Sequence, residues 1–194
     1  GGNPDLAAEE AMQYELGNEF QFSNFKMTLT GYYNDIQQMI NWVPGSSGYW
    51  TPKNIDEVAT YGAEFFLNYK KQFGRHLLAL NGTYAYTVSE NKTSEKQLIY
   101  VPYHKATGSI YYAFQDLFIE TQALYNGEVF TRSDNNSNYN LDAYWLWNAG
   151  LGYHISKNFT LGGKVRNLLN SDFQNVEDRR MPGTNYTIYL TLNF

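Results

Sequence analysis

The sequence predicts an all-β chain of antiparallel, up-and-down strands, and three observations predict it. Apolar and polar residues alternate with period two over most of the chain, the pattern of strands whose two faces meet different surroundings. The connections between these segments are short and long in strict turn. Helical periodicity is hard to find in any window. The closing stretch "TNYTIYLTLNF", 184–194, shows the alternation most plainly: Tyr186, Ile188, Leu190, Leu192 and Phe194 are apolar, while Asn185, Thr187, Tyr189, Thr191 and Asn193 all hydrogen-bond.

Nine strands follow from this reading, at 12–22, 25–42, 55–71, 75–90, 98–114, 117–132, 141–155, 159–169 and 184–194. The first two place Met12, Tyr14, Leu16, Phe20 and Phe22, then Phe25, Met27, Leu29 and Tyr33, on one face. The third and fourth place Tyr61, Ala63, Phe65, Leu67 and Tyr69, then Leu78, Leu80, Gly82 and Tyr84. The fifth and sixth place Ala106, Gly108, Ile110, Tyr112 and Phe114, then Leu117, Ile119, Thr121, Ala123 and Tyr125. The seventh and eighth place Trp145, Trp147, Ala149, Leu151 and Tyr153, then Phe159, Leu161, Gly163 and Val165; the closing strand completes the set. None of these positions holds a charge, whereas the opposite faces hold Glu15, Glu19, Lys26, Glu64, Lys70, Lys105, Glu120, Lys164 and Arg166. A Lys or Arg facing lipid near the bilayer midplane costs roughly 2–4 kcal/mol, so the sorting is what a transmembrane β-barrel requires, with a wet, charged lumen inside.

The connections agree. Ser23-Asn24, Gln72 to Gly74, Gln115-Asp116 and Ser156 to Asn158 are tight turns; 43–54, 91–97, 133–140 and 170–183 are long polar loops. Short periplasmic turns alternating with longer external loops are the habit of outer-membrane barrels. Aromatics gather at both strand ends, Tyr69, Tyr112, Phe114, Tyr153 and Phe159 by the short turns and Tyr33, Tyr61, Trp145 and Trp147 toward the long loops, as interfacial girdles do. The rival is a soluble β-sandwich binding carbohydrate through exposed Trp and Tyr, in which the aromatics pair across strands. Such a sandwich has no reason to sort its loops by length.

Composition sets outer limits. The chain has 194 residues and a formal charge of -5, which disfavours nucleic acid as a partner. It has no cysteine, hence no disulfide framework and no thiolate metal site. No run approaches the ~18 apolar residues of a membrane helix. Low mean hydropathy is compatible with barrel strands, because they alternate. Nine is an odd count, and an open sheet in lipid leaves edge groups unsatisfied at several kcal/mol each. With its loop-like opening "GGNPDLAAEE", the chain reads as part of a larger barrel.

Three stretches carry a family resemblance. "GNPDLAAEEAMQYELG", 2–17, resembles the mid-barrel N-P-x-L and Y-E-x-G motif of TonB-dependent outer-membrane receptors. "GAEFFLNY", 62–69, resembles their G-x-E strand, and 158–194 is similar to their closing segment. Leu169, Phe173 and Thr184 depart from the usual Phe, Tyr and Arg. Within the family, "YYNDIQQMINW", 32–42, and the G-K-V-x-N-L stretch from Gly163 to Leu168 look most like the cobalamin receptors, though Y-x-N-D also occurs in siderophore receptors. The resemblance implies a 22-stranded plugged barrel in a Gram-negative outer membrane. Residues 1–194 would form its C-terminal part, with the plug and earlier strands lying upstream. It implies import of cobalamin or another corrinoid, a siderophore or glycan cargo being the alternative. TonB would engage the upstream segment, and a surface lipoprotein is a further partner of such receptors. It also implies that Phe194 is an assembly signal.

For ligand contact, "NWVPGSSGYWTPKNI", 41–55, is the first candidate, since Trp42, Tyr49 and Trp50 suit stacking on a large organic ligand; a girdle position for Trp42 is the plain alternative. Arg179 and Arg180 could meet an anionic ligand or lipopolysaccharide phosphates, or form a solvated charge pair. "SDNNSNYN", 133–140, lacks the spacing of a calcium loop and reads as an Asn-rich turn. Any structural calcium is expected in loops outside this segment. His76, His104 and His154 fall on different strands without metal spacing, so no metal site is expected. No rim region gathers a Ser, His and acid set, so no catalysis or cofactor is expected, and a lumen pair such as Glu64 with Lys105 reads as a charge network.

Overall fold

The computed structural model describes residues 3–44 and 49–193. Nine long strands form an antiparallel meander: β1 (Glu10–Phe22), β2 (Phe25–Pro44), β3 (Trp50–Phe73), β4 (His76–Asn91), β6 (His104–Phe114), β7 (Leu117–Asn126), β8 (Tyr144–Ser156), β9 (Phe159–Arg166) and β12 (Asn185–Leu192). Each pairs with its neighbours in sequence, and β5 (Lys96–Gln97) adds a short return on β4. β10 (Gln174–Val176) and β11 (Arg179–Arg180) form a separate hairpin between β9 and β12.

The register places the predicted apolar residues on one continuous face. Tyr14 lies opposite Tyr33 and Tyr33 opposite Tyr61; Leu67 faces Gly82 and Gly82 faces Gly108. Ile119 faces Leu151, Leu151 faces Gly163, and Gly163 faces Ile188. Directly opposed residues share a face, so one apolar belt crosses all nine strands. Charges enter that face only at its rims: Glu10, Asp35, Glu57 and Glu90 toward the long loops, and Lys71 toward the short turns. Cavities lined by Glu64 and Lys105, and by Glu120 and Lys164, open on the other face, while a smaller one beside Glu10 and Asp35 lies at the rim of the belt. This marks the charged face as the concave one.

Several boundaries differ from the sequence reading. The 43–54 loop is mostly strand, since β2 and β3 stay paired up to Pro44 opposite Trp50. The strands expected over 98–114 and 117–132 begin and end their ladder at His104 and Asn126. Above that point Pro102 lacks a donor, Tyr100 takes a left-handed φ of 61°, and the chain bulges: Tyr103 accepts from the Thr87 amide, and Leu98 donates to Ser89. The 170–183 loop contains the β10–β11 hairpin, turned by Asp178 at φ 62°. Phe194 lies outside the described residues.

Little of the sheet is buried. The small core lies at the loop end and includes Val58, Val88, Leu98 and Val129. β1 is exposed along its whole length, and β12 nearly so, because each has a partner on one side only. The concave face is close-packed by another device. Phe118 lies over Gly152, Tyr189 over Gly162, and the Glu120 side chain over Gly150, each filling the place of a missing Cβ. Glu120 thereby reaches Lys164 two strands away at 2.7 Å. Tyr32 crosses Gly62 in the same way to meet Thr87 Oγ1 at 2.9 Å.

Candidate functional site

The long loops converge above the core and are hydrogen-bonded into defined shapes. Gln97 is the hub: its side-chain oxygen accepts from the Ser89 amide at 2.9 Å, and its own amide donates to Asn135 Oδ1 at 2.9 Å. Asn135, at a left-handed φ of 55°, returns a bond from Nδ2 to the Gln97 carbonyl. The "SDNNSNYN" stretch is therefore a turn built by carboxamides, with Asn136 capping a one-turn 3-10 helix, Ser137–Tyr139. Among the described residues no group of three metal-ligating side chains is brought together.

A cavity of about 610 Å³ lies between the β2–β3 extension, the 92–103 loop and the 127–143 loop. Asn41 and Val43 line one wall, Lys96 and Ser94 a second, Arg132 and Tyr139 a third. The Arg132 guanidinium sits 5.1 Å over the Tyr139 ring and forms an ion pair with Glu177 at 2.9 Å. That pair ties the third wall to the β10–β11 hairpin. Lys96 is in no ion pair among the described residues. The result is a polar recess with one aromatic wall, in which Asp134 and the Glu177 partner of Arg132 offset part of the positive charge and Lys96 is the cation left to meet an anionic group on a large ligand.

The predicted contact residues are placed around this recess rather than in it. Trp42 stands on β2 opposite Pro52, and its neighbours Asn41 and Val43 line the cavity while Trp42 does not. Tyr49 and Trp50 lie at the loop end of β3, Trp50 in the last described pair, Pro44–Trp50, and Tyr49 just beyond it at 78% exposure. Arg179 and Arg180 form β11, where Arg180 meets Asp172 in an exposed pair at 3.3 Å. Among the described residues β11 contacts no strand but β10, so the arginines are not brought to β2 or β3, which carry Trp42 and Trp50. Lys96, Arg132 and Tyr139 escape sequence reasoning because contacts between loops assemble them; the unusual density of Asn around 135 was the available signal.

Other polar groups have structural partners. Glu64 and Lys105 line one cavity without forming an ion pair, and the network runs instead through Lys164–Glu120 and Lys26–Glu19. Outside the sheet, Lys92 donates to Asp35 at 2.6 Å and to Glu57 at 3.2 Å. The bond to Asp35 raises its pKa above the ordinary lysine value. His76 and His104 belong to the apolar face, bonded to Tyr112 OH at 2.7 Å and Tyr84 OH at 2.8 Å; His154 lies on the concave face with Thr160.

Residues 1–168 match the family model described as TonB dependent receptor-like, beta-barrel. The vitamin B12 transporter BtuB of Photobacterium profundum is 28% identical over 197 residues, covering 100% of this chain and 32% of its own length. BtuB of Vibrio vulnificus is also 28% identical, covering 99% and 31%. The chain thus spans about a third of the length of the curated relatives it matches. Among solved structures, the copper transporter OprC superposes with a TM-score of 0.82 at 17% identity, over 98% of this chain and 31% of that one. The ferric-catecholate import receptor Fiu from E. coli K12 gives 0.77 at 19%, over 99% and 29%. These neighbours share the fold. With the apolar belt, the alternating turns and a family match over most of its length, the chain belongs to the TonB-dependent receptor β-barrel family and lies in the outer membrane of a Gram-negative bacterium.

Proposed function

We propose that this chain is the C-terminal wall of a 22-stranded, plugged importer that takes up a corrinoid across the outer membrane. The observation that carries the reading is similarity over the full chain to two vitamin B12 transporters, at a higher identity than to the siderophore and copper receptors that share its fold. The segment does no chemistry. It supplies lumen wall, lipid seal and a scaffold for ligand-contacting loops. Cobalamin carries a phosphodiester and a ring of amides, a match for Lys96 and the polar walls of the recess and for the exposed Trp50 at the loop end of β3. Energy would come from TonB acting on the upstream segment. Lipopolysaccharide would contact the rim, where Arg179 and Arg180 are exposed.

Ferric siderophores are the second reading, favoured by superposition on catecholate receptors; a glycan cargo is the further alternative. The test is cobalamin binding by the complete receptor in detergent, with the variants Trp50→Ala and Arg132→Ala. Binding weakened about 10-fold or more by either substitution supports both cargo and site, because hot-spot aromatic and Arg truncations typically cost ~2 kcal/mol. Binding that ignores both keeps the cargo and moves the site to other loops. Absence of binding, with uptake of a ferric chelate intact, replaces corrinoid by siderophore.

A further inference from the structure

We propose that the tip of the β3–β4 hairpin is a docking point for anionic phospholipid in the leaflet at the short-turn rim, Lys71 and Arg75 holding the phosphate. The proposal rests on the membrane orientation of the barrel and not on its cargo.

The tip reads "YKKQFGRH", 69–76. Lys70, Lys71 and Arg75 are all exposed, no carboxylate interrupts them, and none is ion-paired among the described residues. The other short turns are Ser23-Asn24, Gln115-Asp116 and Lys157-Asn158, so positive charge is concentrated at this one tip.

Position matters as much as charge. Lys71 lies opposite Leu78, two residues beyond the Tyr69–Leu80 pair, and so stands on the apolar face at the margin of the belt. Around it is an aromatic cluster: Phe73 stacks on His76 at 5.3 Å, His76 on Phe114 at 4.5 Å, and His76 bonds Tyr112 OH. Such rings mark the headgroup depth of a bilayer, and a lysine there lays its stem along the apolar belt and lifts its ammonium to the phosphates. The tip also overreaches its neighbour. β2 begins at Phe25 opposite Tyr69 and Asn24 still bonds both backbone groups of Lys70, so the overreach starts at Lys71: Lys71 to Phe73 pair with β4 alone, past the end of β2. Arg75, in the two-residue turn after Gly74, extends the same charge toward the headgroup plane. Lys70 provides an internal contrast, since one step along a strand reverses the face and turns it to the lumen side.

The test is native mass spectrometry of the complete receptor in detergent, titrated with phosphatidylglycerol and, separately, with phosphatidylcholine. The double variant Lys71→Gln/Arg75→Gln is expected to weaken retention of one phosphatidylglycerol roughly 30-fold, about fivefold for each basic residue at an anionic surface. Lys70→Gln and Lys71→Arg are expected to retain it as the wild type does. Equal retention by the double variant overturns the proposal, as does phosphatidylcholine held as tightly. Equal loss in Lys70→Gln would reduce the effect to diffuse charge, and displacement by inorganic phosphate at equal concentration would assign the site to free anions; either outcome also overturns it. Heat-modifiable gel mobility reports that each variant is folded. Cobalamin binding measured on the same samples separates failure of this inference from failure of the proposed cargo.

Discussion

At the scale of single residues, the concave face depends on glycines that carry other residues' side chains. Gly152 is the clearest case, since a Cβ there would strike the Phe118 ring. Gly152→Val is expected to destabilise the barrel by about 1–3 kcal/mol, the usual cost of overpacking, read as a lower thermal unfolding midpoint. Gly82→Ala serves as the comparison, because its Cβ would meet Leu67 Cβ at an ordinary 3.8 Å; its midpoint should barely move. Lys92 makes a separate prediction. Its pKa is raised by Asp35, so the contact is fully present below the ordinary lysine value and is lost as pH rises through the higher folded value. Amide protection of residues 92–95, corrected for intrinsic exchange, should be flat through neutral pH and fall only in the alkaline range, and Lys92→Met should remove that step. Single-residue roles were the least legible part of the sequence. Trp42, Tyr49 and Trp50 announce themselves by type, but Arg132 acquires a role only by reaching Glu177, far away in the chain.

At the scale of elements, alternation is a sufficient code where both faces of a strand are constrained. One face must suit lipid and the other water, so apolar sets from Met12 to Leu192 could be assigned without coordinates, and the register unites them. The code weakens above the girdle, where both faces meet water and loops. There β3 extends beyond its expected start to Trp50, and β6 starts late because Tyr100 and Pro102 break the ladder. The face assignment can be tested at one position and its neighbour. Leu190→Lys should impair assembly in the outer membrane, because Leu190 lies against Leu161 in the belt, one pair inside the Leu192–Phe159 rim, where a charge carries part of the roughly 2–4 kcal/mol it costs at the midplane. Thr191→Lys, opposite Thr160, should assemble; equal tolerance of the two, measured by surface protease protection, would falsify the lipid-face assignment.

At the scale of the molecule, the sheet is open. β1 and β12 each have a partner strand on one side only among the described residues, and Leu16 and Ile188 on them are 75% and 84% exposed, against 48% for Ile110 and 53% for Leu151 on the inner strands. The isolated 194-residue chain is therefore expected to aggregate in detergent-free buffer, as measured by sedimentation. A soluble carbohydrate-binding sandwich would stay in the supernatant.

The meander order has a consequence for how such a wall can change. Every long strand between β1 and β12 pairs with the long strands before and after it, and direction reverses at each step. Sidedness is thus a matter of counting: whether a connection lies inside or outside is fixed by whether an even or odd number of crossings precedes it. A whole hairpin added or lost leaves every other loop on its own side and only widens or narrows the circumference. A single strand added or lost would turn all that follows inside out, moving the basic β3–β4 tip, or the cavity loops, to the wrong compartment. Lineages built on this plan can resize by pairs, and each loop is free to diverge without renegotiating the address of any other.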